Sequence, residues 1–559
     1  MNNSVIADQF SLLSKLMDIN GENSFRSKTY SIAAFNIERL DKQLEDIGND
    51  QLSKMQGFGF SVVSKIEEIL TTGKLKILDE YVQKTPSGVL EMLQIKGLGP
   101  KKIHVIWKEM GIQSIGELEY ACIENRLSSF KGFGQKTQQK ILETIRFYKQ
   151  NLGHFLYAQI DEIFASVSNY LNKIFGEEKV LIAGDYRRQM PTIKELEFII
   201  DEGCEAIKPK FQTAYPPELL EEREDSLLYK LSNGLRLRLY NNRTNIYKKQ
   251  FLTSASDEFL EEFFLNENNN LFENEICNGE IDIFKNRGVP YIVPCLRESK
   301  SIIEKAKAGT LPELIRLNDI KGCIHNHSNW SDGINTIEEL VNTLIEKKFE
   351  YLVISDHSKT AAYANGLSEE RILKQHAYIN ELNKKYSSFK IFKSIECDIL
   401  SDGSLDYLED LLKTFDLVIA SVHSNLYMDE EKAMMRLLKA IENPYTTILG
   451  HPTGRLLLSR KGYPINHKKI IDACAACHVV IEINANPHRL DMDWEWIDYA
   501  MNKNVLLSID PDAHSIEGLD DIRFGVLAAQ KGGLTPEFNL SSFSLNEFET
   551  FLIQQKSKR

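Results

Sequence analysis

Nine histidine and acidic residues toward the C-terminal end follow short apolar runs: His325, His327, Asp332, His357, Glu396, His423, His451, Asp512 and His514. Imidazole mixed with carboxylate suits Zn²⁺, Mn²⁺ or Fe²⁺. Nine donors exceed what one ion takes, so two or three divalent ions are expected. Clustered ions fit phosphoester hydrolysis, because they hold phosphate oxygens, lower the pKa of a bound water and stabilise the leaving oxygen. Glu396 offers two oxygens and is the best bridge between ions, with Asp332 and His357 beside it in the expected catalytic set. Arg455, in His451-Pro452-Thr453-Gly454-Arg455, and Arg489, in Asn486-Pro487-His488-Arg489-Leu490-Asp491, could each grip a substrate phosphate with paired donors.

The elements that must position these groups are seven apolar runs about thirty residues apart, each followed by helix-like sequence: 323–324, 351–354, 391–395, 417–420, 446–449, 479–483 and 505–509. Strands alternating with helices imply a parallel sheet, closed or nearly closed into a β/α barrel. Six of the seven runs end in a candidate ligand, and the other ends in Asn484. Barrel active sites lie at the C-terminal ends of the strands, so the donors should converge on one mouth. Six of the twelve histidines occupy these places, which scattered structural histidines would not do.

The first 150 residues repeat another pattern. Met55-Gln56-Gly57-Phe58-Gly59, Ile95-Lys96-Gly97-Leu98-Gly99-Pro100-Lys101-Lys102 and Phe130-Lys131-Gly132-Phe133-Gly134-Gln135-Lys136 each place an apolar residue before Gly-x-Gly and a helix-like run. This is the helix-hairpin-helix signature. Glycine permits the tight turn, and amides at the following helix N-terminus can meet a phosphate oxygen. Gly57, Gly59, Gly97, Gly99, Lys101, Lys102, Gly132, Gly134 and Lys136 are therefore the expected DNA contacts, holding the backbone without reading bases.

The net charge of −13 looks unfavourable for nucleic acid, but residues 1–150 carry 20 basic against 18 acidic groups, leaving the acid excess to the remainder. With 559 residues, several domains are required. Eight scattered cysteines point to a reduced compartment, and Cys474-Ala475-Ala476-Cys477 reads as small buried helix residues. No apolar stretch approaches a membrane span and the N-terminus has no signal-peptide pattern. The expectation is a cytoplasmic protein without membrane contact, taken as monomeric. Residues 151–241 read as α/β, with strands at 180–183 and 196–200. The following part, to about 315, is mixed and Asn-rich at Asn266–Asn270.

With these motifs together, the chain resembles the bacterial family X DNA polymerases that carry a C-terminal PHP (polymerase and histidinol phosphatase) domain. The most specific segments are His325-Asn326-His327-Ser328-Asn329-Trp330-Ser331-Asp332-Gly333, Ser355-Asp356-His357-Ser358, Glu396-Cys397-Asp398-Ile399-Leu400 and Asp512-Ala513-His514-Ser515. The resemblance implies five domains: a lyase-like helical one at 1–80, helical fingers at 81–150, a nucleotidyltransferase-like palm at 151–241, a thumb at 242–315 and a PHP barrel at 320–559. It also implies all nine metal ligands, a 3′–5′ exonuclease and 3′-end phosphoesterase commonly using Mn²⁺, and gapped, nicked or primer-ended DNA as partner, in DNA repair.

The palm departs from that family. Gly184-Asp185-Tyr186-Arg187-Arg188 has Asp185 where the family has Ser. The family's paired aspartates become Glu195 and Glu197, and its third aspartate becomes Arg238. Two-metal nucleotidyl transfer needs three short carboxylates, so polymerase activity is expected to be lost and the palm kept for shape and DNA contact. Lys65 and Tyr30 fall at lyase positions, where a lysine forms a Schiff base with an abasic sugar. Two alternatives stand beside this reading: an active polymerase with exonuclease, and a small-molecule phosphoesterase with a non-catalytic binding module.

Overall fold

Glycine chemistry shapes the first of two units, Met1–Leu152 and Gly153–Arg559. The computed structural model describes all residues except 1, 41, 211–216, 242–244, 266–271, 273–274, 427 and 559, and the side chains of 49, 50, 129 and 150. The Asn-rich run at 266–270 thus lies outside the described residues.

The described part of the first unit is all helix and turn. Gly57, Gly97 and Gly132 adopt φ of +90°, +89° and +93°, a region in which a Cβ is strained. The residue after each, Phe58, Leu98 or Phe133, is buried as an apolar plug. Its N–H donates to the carbonyl three residues back, at 3.2, 3.0 and 3.0 Å. The second glycine, Gly59, Gly99 or Gly134, caps the N-terminus of Phe60–Thr72, Pro100–His104 or Gln135–Asn151. One turn is thus built three times, each plugged into the shared apolar core of the unit.

The second unit begins with a five-stranded sheet: β1 (Val180–Ala183), β2 (Glu195–Ile200), β3 (Glu218–Glu222), β4 (Ser226–Lys230) and β5 (Arg236–Asn241), in the order β1-β2-β5-β4-β3. Only β2 and β5 run parallel, with Glu197 paired to Arg238. Gly184, at φ +67°, turns the chain out of β1 so closely against β2 that a Cβ would lie 2.0 Å from Glu197 Oε1. A separate apolar cluster between Phe251 and Ala306, rich in phenylalanine, follows.

From Gly322 every strand is parallel. Strands β6 (Gly322–Asn326), β7 (Tyr351–Ile354) and β8 (Lys390–Lys393) form one sheet. Strands β9 (Glu396–Asp398), β10 (Ile419–Ser421), β11 (Ile448–Leu449), β12 (Val480–Asn484) and β13 (Leu507–Asp510) form another. The expected seven-stranded barrel, closed or nearly closed, is corrected here: among the described residues there are eight strands, one of them, Glu396–Asp398, starting just past the run 391–395, and they lie in two sheets that meet at seams. The physical reason is a change of partner. Lys393 pairs with Ile354 of β7, whereas Glu396 pairs with Ile419 of β10. At the other seam a single bridge joins Asn326 to Ala513. There β6 carries a register shift between Cys323 and Asn326, with His325 at φ +60°. Such irregularities re-aim side chains at the cost of ladder bonds. All strand C-termini still point one way, as the parallel registers require. Cys474 is buried in the helix His467–Cys477, and the described cysteines are free thiols. Among the described residues no helix is long and apolar enough to cross a membrane.

Glu280 ties the segments of this unit together. It is buried, accepts two bonds from Arg187 (2.8 and 2.9 Å) and two from Arg297 (2.7 and 3.0 Å), and one from the Tyr291 hydroxyl (3.0 Å). Burial alone would raise its pKa, but the two guanidinium groups hold it down to about 2. Removing the carboxylate leaves the fully buried Arg297 and the largely buried Arg187 without their anion, so Glu280→Ala is expected to cost about 3–5 kcal/mol in urea unfolding. Because the folded pKa is depressed, this stabilisation is complete above the ordinary Glu value of about 4.3 and is lost as pH falls toward about 2. Acid titration of stability should therefore be steeper for wild type than for Glu280→Gln over that window.

Candidate metal centre

Side chains two apart on a strand share a face. That rule puts Glu396 and Asp398 together on β9, and Glu482 and Asn484 together on β12. The bulge in β6 brings His325 and His327 to the same mouth. His357, His423, His451, Asp512 and His514 sit just past the ends of their strands.

The structure brings all nine donors together around Glu396. Its Oε1 lies 2.9 Å from His451 Nε2, 3.0 Å from His423 Nε2 and 3.4 Å from His325 Nε2. Its Oε2 lies 2.9 Å from His357 Nδ1 and 3.6 Å from His327 Nε2. Asp512 Oδ1 is 3.1 Å from His327 Nε2 and 3.6 Å from His325 Nε2. Asp332 closes the other side, 3.6 Å from both His357 Nε2 and His514 Nε2. Three ligand groups result: His327, Asp332, His357 and His514; His325, His327 and Asp512; and His357, Glu396 and His423. His327 and His357 each belong to two groups, so the groups adjoin, although each neutral ring can serve only one ion.

The polar atoms fit divalent ions. His325 Nε2, His327 Nδ1, His357 Nδ1, Glu396 Oε2 and His451 Nδ1 are buried without a hydrogen-bond partner. Buried lone pairs left unpaired are costly, and a cation would use those aimed at the shared space. Burial opposes ionisation of Glu396, yet His423, His325 and His357 hold its carboxyl well below the usual range. Asp512 is likewise held low against burial, by His325, His327 and Arg489. Burial, with His514 and His357, pushes His327 down to about 3. The acids are therefore anionic and His327 a neutral imidazole, whereas the same acids favour the protonated rings of His325, His423 and His514, which must give up a proton when an ion binds.

A second layer, which the sequence reading did not single out, aims these rings. Glu482 Oε2 bonds His325 Nδ1 at 2.8 Å, and Asp398 Oδ1 bonds His423 Nδ1 at 2.5 Å. Each partner keeps the hydrogen on Nδ1 and turns the Nε2 lone pair inward. Asn484 donates to Glu482 (2.6 Å) and to Asp512 (3.1 Å). Asp356 accepts from the Ser328 amide and hydroxyl, the Ser331 hydroxyl and Gln375, fixing the loop that carries Asp332. The available signal was a charge inside an apolar run, Val479-Val480-Ile481-Glu482-Ile483, at the face parity of Asn484.

The two arginines differ. Arg455 donates to the carbonyls of Arg489 (3.0 Å) and Leu490 and pairs with Asp493, so its guanidinium is spent on bracing that loop. Arg489 instead faces the cluster, with Nε 3.7 Å from Asp512 Oδ2.

The palm residues solve their charges differently. Arg238 is buried and donates to Glu195 at 2.5 and 3.3 Å, with Glu221 and Ser226 each at 3.3 Å. Glu197 accepts from the Tyr240 hydroxyl (2.8 Å). Burial, with Asp185 and Glu195, raises its pKa to about 7. Arg188 is paired with Glu298 (2.9 and 2.5 Å), as Arg187 is with Glu280. In the first unit, Lys65 Nζ bonds the Ser61 hydroxyl (3.2 Å), which lies 3.4 Å from the Tyr30 hydroxyl, so the two lyase candidates meet through Ser61. Gly59, Gly97, Gly99, Gly132 and Gly134 face open space, whereas Gly57 is covered by Asn36 and Ile32. Lys101 and Lys136 are exposed, and Lys102 reaches back to the Gly97 carbonyl (3.2 Å).

Because Glu482 orients His325 and accepts from Asn484 without being one of the nine donors, Glu482→Gln should leave the fold and the ligands in place yet weaken divalent-metal binding about 10–100-fold. Metal content after dialysis against graded chelator reads this, and unchanged retention would refute the orienting role.

Comparisons with known proteins agree with this division. The helix-hairpin-helix domain family matches residues 1–75, the SAM-like helix-hairpin-helix tandem family residues 89–146, and the PHP domain family residues 324–486. The chain is 32% identical over 555 residues to the "DNA polymerase/3′-5′ exonuclease PolX" of Bacillus subtilis (strain 168), covering 96% of each protein. It is 29% identical over 169 residues to a "Probable phosphatase" of Caldanaerobacter subterraneus subsp. tengcongensis, over 29% of this chain and 60% of that one. A similar "Probable phosphatase" of Thermoanaerobacter sp. (strain X514) is 31% identical over 165 residues, 29% of this chain and 62% of its own. With helix-hairpin-helix units in front, a PHP domain behind and a full-length relative at this identity, the chain belongs to the bacterial family X DNA polymerases with a C-terminal PHP domain.

Proposed function

We propose that this chain is a metal-dependent 3′–5′ exonuclease and 3′-end-processing phosphoesterase acting on gapped, nicked or primer-ended DNA in repair, and that its palm no longer polymerises. The observation that carries the reading is the anionic Glu396 carboxylate with five imidazole nitrogens within 3.6 Å and Arg489 turned toward the same cluster.

Two or three divalent ions, Mn²⁺, Zn²⁺ or Fe²⁺, held by the nine side chains would activate a water and neutralise charge on the phosphate. Glu396 spans the middle of the set. Asp332 and His514 form its more open side, with side chains 31% and 41% exposed, and therefore face incoming substrate. Arg489 offers paired donors to the non-bridging phosphate oxygens. In the reaction the oxygen of water bonds to phosphorus, the P–O3′ bond breaks, and the departing 3′ oxygen takes up a proton. A nucleoside 5′-monophosphate leaves, and the strand keeps a 3′-hydroxyl.

The palm reading rests on Arg238. Its guanidinium lies between carboxylates where nucleotidyl transfer needs a cation held by three of them. Arg187 and Arg188, which would meet a triphosphate, are each bonded to an acid. The three glycine turns serve as sequence-independent backbone contacts, and Lys65 with Tyr30 keeps the geometry for a lyase step. The divisions at 80, 150, 241 and 315–320 are part of this proposal.

With a 5′-labelled primer–template and Mn²⁺, we expect stepwise shortening that is lost in His325→Ala plus His327→Ala. Adding dNTPs should give no extension; extension abolished by Glu197→Ala would instead support a working polymerase. The phosphatase relatives favour testing a sugar phosphate as competitor, and preference for that ester over DNA ends would move the substrate class to small molecules. Lys101→Glu or Lys136→Glu should weaken binding equally across DNA sequences and lower the salt slope by about 1, measured by anisotropy from 50 to 200 mM salt.

A further inference from the structure

The turn after His357 holds out an exposed aromatic ring beside the metal-centre residues. In Lys359-Thr360-Ala361-Ala362-Tyr363-Ala364, the residues Ala362–Ala364 form a 3₁₀ turn. Ala361 and Ala364 are packed inward at 0% and 1% exposure, and Tyr363 stands 73% exposed. Single exposed aromatics are common on protein surfaces, but this one is placed with care. The Lys359 amide donates to the Tyr407 hydroxyl (2.9 Å) and the Thr360 amide to Asp406 (2.8 Å). The Thr360 hydroxyl donates to Asp398 Oδ2 (2.8 Å), and the other oxygen of that carboxylate aims His423. On its far side the turn returns to the centre through the Leu367 amide and the His357 carbonyl (2.9 Å). Gly366 is pressed so close to the Ser358 carbonyl that a Cβ would lie 1.9 Å from its oxygen.

The ring centroid of Tyr363 is 6.1 Å from that of His357, inclined at 57°. The ring therefore stands at the mouth of the cluster with a face uncovered. Desolvation, then Asp398, Glu396 and Asp332, push the phenol well above the usual tyrosine range, so it remains neutral beside the carboxylates.

We propose that Tyr363 is a specificity residue on which the 3′-terminal nucleobase stacks while its phosphate lies at the metal centre beside Arg489. The inference rests on the reading of this centre as a DNA 3′-end site and deepens it. A small phosphate monoester has nothing to lay on the ring, whereas every nucleobase offers a π-face. Base–aromatic stacking is sequence-tolerant and changes affinity by about 5- to 150-fold per base.

The test uses the metal-loaded full chain and two primer–templates, one ending in an ordinary 3′ nucleotide and one in a 3′ abasic residue. Wild type should favour the base-bearing end by about 5- to 150-fold in kcat/KM. Tyr363→Ala should reduce that ratio to within about threefold, and Tyr363→Phe and Tyr363→Trp should preserve it. A ratio untouched by alanine, or lost equally with phenylalanine, would overturn the assignment, the second outcome by placing the role in the hydroxyl. Calorimetric binding of deoxynucleoside 5′-monophosphate against deoxyribose 5-phosphate reads the stack without the chemistry. Tyr363-dependent preference for the nucleotide, in protein that cuts no DNA, would remove the nuclease reading and keep this one. Cutting without discrimination between the two ends would do the reverse.

Discussion

A carboxylate with almost no solvent contact must have positive charge brought to it, and Glu396 imposes that demand on everything from Gly322 onward. It is 1% exposed, and an unpaired buried anion is among the costliest groups a core can hold. Helical or antiparallel packing would not deliver donors from this many distant segments to one point. Parallel strands do, because each ends on the same side and the loop beyond it starts there. The seams where the two sheets fail to form a continuous ladder are part of this solution. They lie beside His325, His357 and Glu396, where side-chain direction matters more than one more backbone bond.

The second unit contains two clusters of acids that reach opposite electrostatic outcomes. In the palm, Arg238 supplies a cation that belongs to the chain and cannot leave. Glu195 is thereby satisfied, and Glu197 is left in surroundings that favour its neutral form. Around Glu396 the neighbours are imidazoles, several with unpaired nitrogens, and the acids are held ionised. A fixed guanidinium makes a structural strut, whereas convergent lone pairs make a place for exchangeable ions. The difference is one of residue type: a resident guanidinium among the acids of one sheet, convergent imidazoles around the acids of the other.

The buttressing of the centre runs outward in layers. Asp398 serves His423 with one oxygen and the Thr360 turn with the other, so ring orientation at the ligands and loop position at the rim are set by the same carboxylate. Arg455 does comparable work on the opposite side, holding the loop from which Arg489 extends. Groups that never touch a substrate thus decide where the groups that do will stand. In the helical unit the corresponding role falls to apolar plugs, Phe58, Leu98 and Phe133, which seat each glycine turn against the core and leave its amides outside.

By itself the sequence determined which residue types recur and at what spacing. A histidine or acid after nearly every apolar run, the repeated Gly-x-Gly and Arg238 among acids are all legible there. Such features depend on residue type and local period, which are written in order along the chain. Tertiary structure alone decided which donors are neighbours, that Glu396 is the hub, and that Glu482 and Asp398 stand behind the ligands. It also separated Arg455 from Arg489, two arginines alike in local context, and split the expected barrel where the chain passes from Lys390–Lys393 to Glu396–Asp398 and changes partners. Those outcomes turn on distances between segments far apart in sequence and on competition for a shared carbonyl or carboxylate, which no local pattern encodes.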